Sequence, residues 1–141
     1  MTRLMVFIAV ALTIGLAAVV LAAGEQAAKP QTSCPVSGEE IDKKVSVDWQ
    51  GQRVYFCCTK CVAAFKKDPD KYLATMAAQG VVAESVQTTD PICGMDQKPE
   101  GIHADYKGRR VYFCSEYCKA EFGKDPVKYL DKLPGQQSAS K

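Results

Sequence analysis

A block of 25 residues occurs twice in this chain, and each copy carries the same pair of cysteines. Residues 49–73 read WQGQRVYFCCTKCVAAFKKDPDKYL, and residues 106–130 read YKGRRVYFCSEYCKAEFGKDPVKYL. Fifteen of the 25 positions are identical at a constant offset of 57, which chance does not produce. Upstream, Cys34-Pro35-Val36-Ser37-Gly38 aligns with Asp90-Pro91-Ile92-Cys93-Gly94 after a one-residue gap. The duplication predicts two small modules, at residues 32–79 and 89–133, joined by a linker over 80–88. Two copies are too few for a solenoid, so a two-domain tandem is expected. The tail, residues 134–141 (PGQQSASK), is polar and expected to be disordered.

The first 23 residues stand apart from the repeat. Arg3 is their only charge, and the run from Leu4 to Ala23 is apolar apart from Thr13 and Gly15. A basic start, an apolar stretch and small residues at its end read as a secretory signal peptide. The alternative is an uncleaved membrane anchor, because the run approaches the roughly 20 residues that a spanning helix needs. Either reading places the rest of the chain outside the cytoplasm, in the periplasm or the extracellular space.

Each module carries its own structural signals. Val45-Ser46-Val47-Asp48 alternates apolar and polar, Gly51 turns the chain, and Arg53-Val54-Tyr55-Phe56 returns as a second β-rich run. Gly108 and Arg110 to Phe113 repeat the hairpin. Cys57, Cys61 and Phe65, like Cys114, Cys118 and Phe122, then recur at i, i+4, i+8, which predicts one face of a short helix. Asp68-Pro69 and Asp125-Pro126 suit an N-cap followed by proline at the first helical position. The second helix would carry Tyr72-Leu73 or Tyr129-Leu130 back onto Phe65 or Phe122. The fold class is therefore α+β, with each module a β-hairpin followed by one or two short helices.

A unit of some 45 residues buries little apolar surface and commonly needs a metal or disulfides as a staple. All seven cysteines follow residue 23. The shared arrangement is one upstream cysteine, about twenty residues, then Cys-x3-Cys. It offers Cys34, Cys57 and Cys61 in the first module and Cys93, Cys114 and Cys118 in the second. On a helix, i and i+4 Cβ atoms lie roughly 5–6 Å apart, whereas a disulfide wants roughly 3.5–4.5 Å. Two thiolates on one tetrahedral ion suit the wider spacing.

Zinc or copper is the ion this ligand set favours. Cys58 is a candidate fourth ligand in the first module. Asp90, at the position of Cys34, is the candidate in the second, and His103, the one histidine, is either a ligand or a solvated loop residue. Two other readings remain. Cys34–Cys57 or Cys93–Cys114 disulfides would make a stapled interaction module without metal. Cys58-Thr59-Lys60-Cys61 could be a redox pair, but Ser115 replaces Cys58 in the second copy while Cys-x3-Cys is kept.

Composition removes other classes. Beyond residue 23 there are 17 basic and 16 acidic side chains, so the charge is near neutral. No basic stripe could neutralise a series of phosphates, which argues against nucleic acid as a partner. There is no Ser/His/Asp arrangement and no Gly-rich phosphate loop, so no enzymatic activity is expected. A membrane is a partner only if the first segment stays uncleaved.

The residues Asp90-Pro91-Ile92-Cys93-Gly94-Met95, Tyr106-Lys107-Gly108 and Val111-Tyr112-Phe113-Cys114-Ser115-x2-Cys118-x3-Phe122-x3-Pro126-x2-Tyr129 resemble a YHS domain, a family close to the TRASH domains. The first module is similar through Cys34 to Gly38 and Tyr55-Phe56-Cys57-Cys58-x2-Cys61-x3-Phe65 with Tyr72. The resemblance implies a treble-clef-like metal-binding module of the kind attached to heavy-metal sensing, trafficking or resistance. It places ligands at Cys93, Cys114 and Cys118, and at Cys57 and Cys61. The upstream family position in the first module is Ser37, with Cys34 three residues earlier. The implied partners are a metal ion and another metal-handling protein, and the implied role is buffering, delivery or sensing.

Overall fold

The computed structural model describes residues 28–135. The expected signal or anchor at 1–23 and residues 136–141 of the expected tail lie outside the described residues. Among the described residues no helix is long and apolar enough to cross a membrane. The architecture is α+β, with small sheets and four short helices among these residues.

In the first module, β1 (Lys29–Pro30) precedes a hairpin of β2 (Asp42–Trp49) and β3 (Gln52–Phe56). Helices α1 (Thr59–Lys67) and α2 (Pro69–Ala78) follow. The span expected as a linker carries β4 (Val81–Val82), parallel to β1, and β5 (Glu84–Ser85), antiparallel to β3. The second module repeats the plan with β6 (His103–Tyr106), β7 (Arg109–Tyr112), α3 (Glu116–Lys124) and α4 (Pro126–Leu130).

Both hairpins turn through two residues with positive φ, Gln50-Gly51 (44° and 82°) and Lys107-Gly108 (47° and 79°). That pair of conformations matches the right-handed twist of the flanking strands. The register places Val47 opposite Val54 and Ala104 opposite Val111, so matching apolar faces point inward. On the other face the cross-strand pairs Asp48–Arg53 and Asp105–Arg110 are ion pairs at 2.7 and 2.8 Å.

The helix starts follow the sequence reading in one respect and depart from it in another. Asp68 and Asp125 cap α2 and α4, accepting the amides of Lys71 and Lys128, with proline next in line. Cys57 and Cys114, however, are not helical. Each lies between the strand end and the N-cap, Cys58 or Ser115, whose backbone is extended. An N-cap residue keeps β-region angles while its carbonyl starts the helix. The cysteine before it therefore belongs to the strand-to-helix corner, while Cys61 with Phe65 and Cys118 with Phe122 keep the buried face of the helix.

Two apolar cores result. Phe56 and Phe65 pack with ring centroids 5.2 Å apart, as do Phe113 and Phe122. Trp49 and Tyr106 meet the helix phenylalanines edge-on, and Tyr72 and Tyr129 return onto them. Leu73 and Leu130 are buried beside these rings.

The modules are docked through their hairpin tips. Gly108 lies against the backbone of Leu73, and Gly51 lies against the Leu133 side chain while its amide donates to the Pro134 carbonyl at 2.7 Å. Pro134 and Gly135, from the expected tail, are thereby held on the first module. The seam is polar: buried Gln52 donates to the Arg110 carbonyl at 2.8 Å, and buried Arg109 pairs with Asp70.

Candidate metal centres

The corner between strand and first helix brings a cluster of sulfurs together in each module. In the second, Cys93 and Cys114 Sγ are 3.5 Å apart, and Cys114 and Cys118 Sγ are 3.7 Å apart. Asp90 supplies an oxygen to the same group, all within 4.8 Å of one another. In the first, Cys34, Cys57 and Cys61 form the equivalent group. Cys58 joins its edge, 3.7 Å from both Cys57 and Cys61, which are themselves 3.6 Å apart. His103 lies elsewhere on β6, with Nδ1 2.9 Å from the Gly101 carbonyl and its ring beside Tyr112.

These separations fit an ion held by thiolates. A tetrahedral site with metal–sulfur bonds near 2.3 Å has sulfurs about 3.8 Å apart, close to what the corners present. The seven cysteines are unbridged. The donors are soft thiolates, which suit zinc or Cu(I) better than hard cations.

A loop closed on itself builds the upstream half of each site. Cys34 N–H donates to the Glu39 carbonyl and Gly38 N–H to the Cys34 carbonyl; Asp90, Met95 and Gly94 repeat the pattern. The Asp90 carboxylate is buried and accepts three amides: Ile92 (2.7 Å) and Cys93 (3.4 Å) on Oδ1, and Cys114 (2.9 Å) on Oδ2. Burial would raise its pKa, but these amides hold the carboxyl below its ordinary range. Asp90 thus ties together the two segments that carry Cys93 and Cys114, a role its place before Pro91 does not reveal.

Cys34 sits in the same cradle. Burial acts to raise its thiol, and the amides of Cys57, Ser37 and Val36 overcome it, bringing the pKa down to about 7. Ser37 takes the place of Cys93, its Oγ 3.2 Å from Cys57 Sγ. Cys61, buried and crowded by the other thiols, is pushed up to about 12. Cys114 also rises to about 12, through its contact with Cys93 first, then desolvation and Asp90. The Cys61 amide, at the start of α1, lowers the Cys58 thiol.

Two glutamines complete the frame and were not singled out by sequence. Gln31 and Gln87 each clamp the strand preceding a cysteine: the side-chain amide donates to the Tyr55 or Tyr112 carbonyl while its oxygen accepts that residue's N–H. The signal was present, because Gln31-Thr32 and Gln87-Thr88 extend the upstream repeat at an offset of 56.

A sequence model described as the YHS domain matches the chain twice, over residues 33–76 and 88–132. No curated protein and no solved structure gives a significant match.

Proposed function

The chain belongs to the YHS domain family as a tandem pair, and from that premise we propose that it is an exported protein binding zinc or copper through cysteine thiolates. The observation that carries this reading is the sulfur spacing of 3.5 to 3.7 Å, repeated at both strand-to-helix corners. Free thiols have no need to converge this closely, whereas a shared ion requires such an arrangement. Two clusters in one chain of 141 residues suit buffering, delivery or sensing of the ion rather than turnover of a substrate.

Titration with zinc and with Cu(I) against a chelator of known affinity tests the proposal. The intact chain should compete for two equivalents, Cys57→Ser for the second cluster only, and Cys118→Ser for the first only. Unaltered capacity in both variants would reject the assignment.

A further inference from the structure

The two clusters differ in how far the chain itself can complete them. The first has four cysteines, with Cys34 and Cys61 buried and Cys57 and Cys58 half-buried. The second has three, of which Cys93 and Cys114 are exposed and only Cys118 is buried. Its fourth group, Asp90, is largely spent. An ionised carboxylate offers about four lone-pair positions, and three backbone amides already bind it.

The surroundings differ in the same sense. Met95, two residues after Cys93, and Tyr117, just before Cys118, are 61 % and 71 % exposed. Their counterparts beside the first cluster are Glu39 and Lys60. Where the first module shows charge to water, the second exposes a thioether and an aromatic ring, two and three residues in sequence from the exposed Cys93 and Cys114.

We infer that the second cluster takes a fourth donor from outside the chain, a cysteine thiolate carried on a polypeptide with apolar residues beside it. The inference rests on the metal-binding reading of the site. A ligand set of three thiolates with one side open to solvent leaves a coordination position free, and a soft set favours a soft incoming donor. Met95 and Tyr117 supply apolar contact that a polypeptide can use and a small hydrophilic thiol cannot. The first cluster, richer in cysteine and more buried, has a fourth thiol of its own at its edge, Cys58, 3.7 Å from both Cys57 and Cys61. The second is therefore where an ion passes between this chain and its partner.

Cobalt(II) is the probe, because its thiolate charge-transfer absorbance grows with each sulfur bound. The full chain, the Cys57→Ser/Cys61→Ser variant (second cluster only) and the Cys114→Ser/Cys118→Ser variant (first cluster only) are loaded with cobalt. Each is then titrated with a short peptide holding one cysteine between apolar residues, with its serine counterpart, and with 2-mercaptoethanol. The cysteine peptide should raise the absorbance of the full chain and of the second cluster, saturably and at lower concentration than mercaptoethanol. The serine peptide should do nothing, and the first cluster should not respond.

Met95→Glu/Tyr117→Lys, which alters only exposed side chains and leaves every ligand in place, should abolish the peptide's advantage. An unchanged spectrum in the full chain, or an equal response at both clusters, overturns the inference while leaving metal binding intact. Equal potency of peptide and mercaptoethanol overturns the polypeptide source. Failure of cobalt to bind the full chain at all rejects the metal-binding reading, and the inference falls with it.

Discussion

The carboxylate of Asp90 accepts the backbone N–H of Cys114 across 24 residues of sequence, at 2.9 Å, and is almost wholly buried. The same group holds the amides of Ile92 and Cys93. One side chain therefore ties together the two backbone segments that carry Cys93 and Cys114.

Asp90→Asn should destabilise the metal-free chain by about 2 kcal/mol at neutral pH, the scale of a lost hydrogen bond to a charged group. The carboxyl is depressed in the folded state. Its contribution is thus fully present above the unfolded carboxylate pKa and is lost as pH falls through the lower folded value. Urea unfolding of both chains should show a gap that closes on acidification below about pH 4. A gap that persists there would mean that Asp90 acts by shape alone.

Gly108→Ala should loosen the docking of the modules. Its φ of +79° is costly for alanine, and the added Cβ would lie 2.2 Å from the Leu73 carbonyl oxygen. Gly101, with φ +84°, has nothing within 4 Å of the same position. Gly101→Ala should therefore cost only the left-handed backbone penalty of about 1–2 kcal/mol, and Gly108→Ala clearly more. Thermal unfolding of the two variants makes the comparison, and equal losses would remove the seam from the account.

Metal loading should release protons. In the metal-free chain the thiols of Cys57 and Cys61 in the first cluster, and of Cys114 and Cys118 in the second, are all raised above their ordinary value, so each cluster carries at least two protonated thiols at neutral pH. Binding as thiolates displaces those protons, and apparent affinity should fall as pH is lowered. A pH-stat titration should record roughly two or more protons per ion. No release on addition of zinc would show that the thiols are not the ligands.

Much of this arrangement is legible in the sequence because it is local. The Asp-Pro starts of α2 and α4, the glycine turns and the return of Tyr72 and Tyr129 follow from neighbouring residues. The cysteine corner is harder. Cys57 and Cys61 have helical spacing, yet an extended N-cap lies between them, so the same number of residues yields a different geometry.

The clamps of Gln31 and Gln87, and the Cys114 amide on Asp90, join segments more than twenty residues apart. No periodicity encodes them. The docking of Gly108 on Leu73 is less legible still, because Gly51 and Gly108 read identically as turn residues and only the fold shows what each tip meets.

The central claim is that the two clusters hold metal, and elemental analysis with a parallel thiol count on the protein purified from its native source tests it most directly. The account predicts two equivalents of zinc or copper, with thiols that react only after chelation or denaturation. Protein without metal, with six cysteines blocked until reduction, would contradict it and make the chain a disulfide-stapled interaction module.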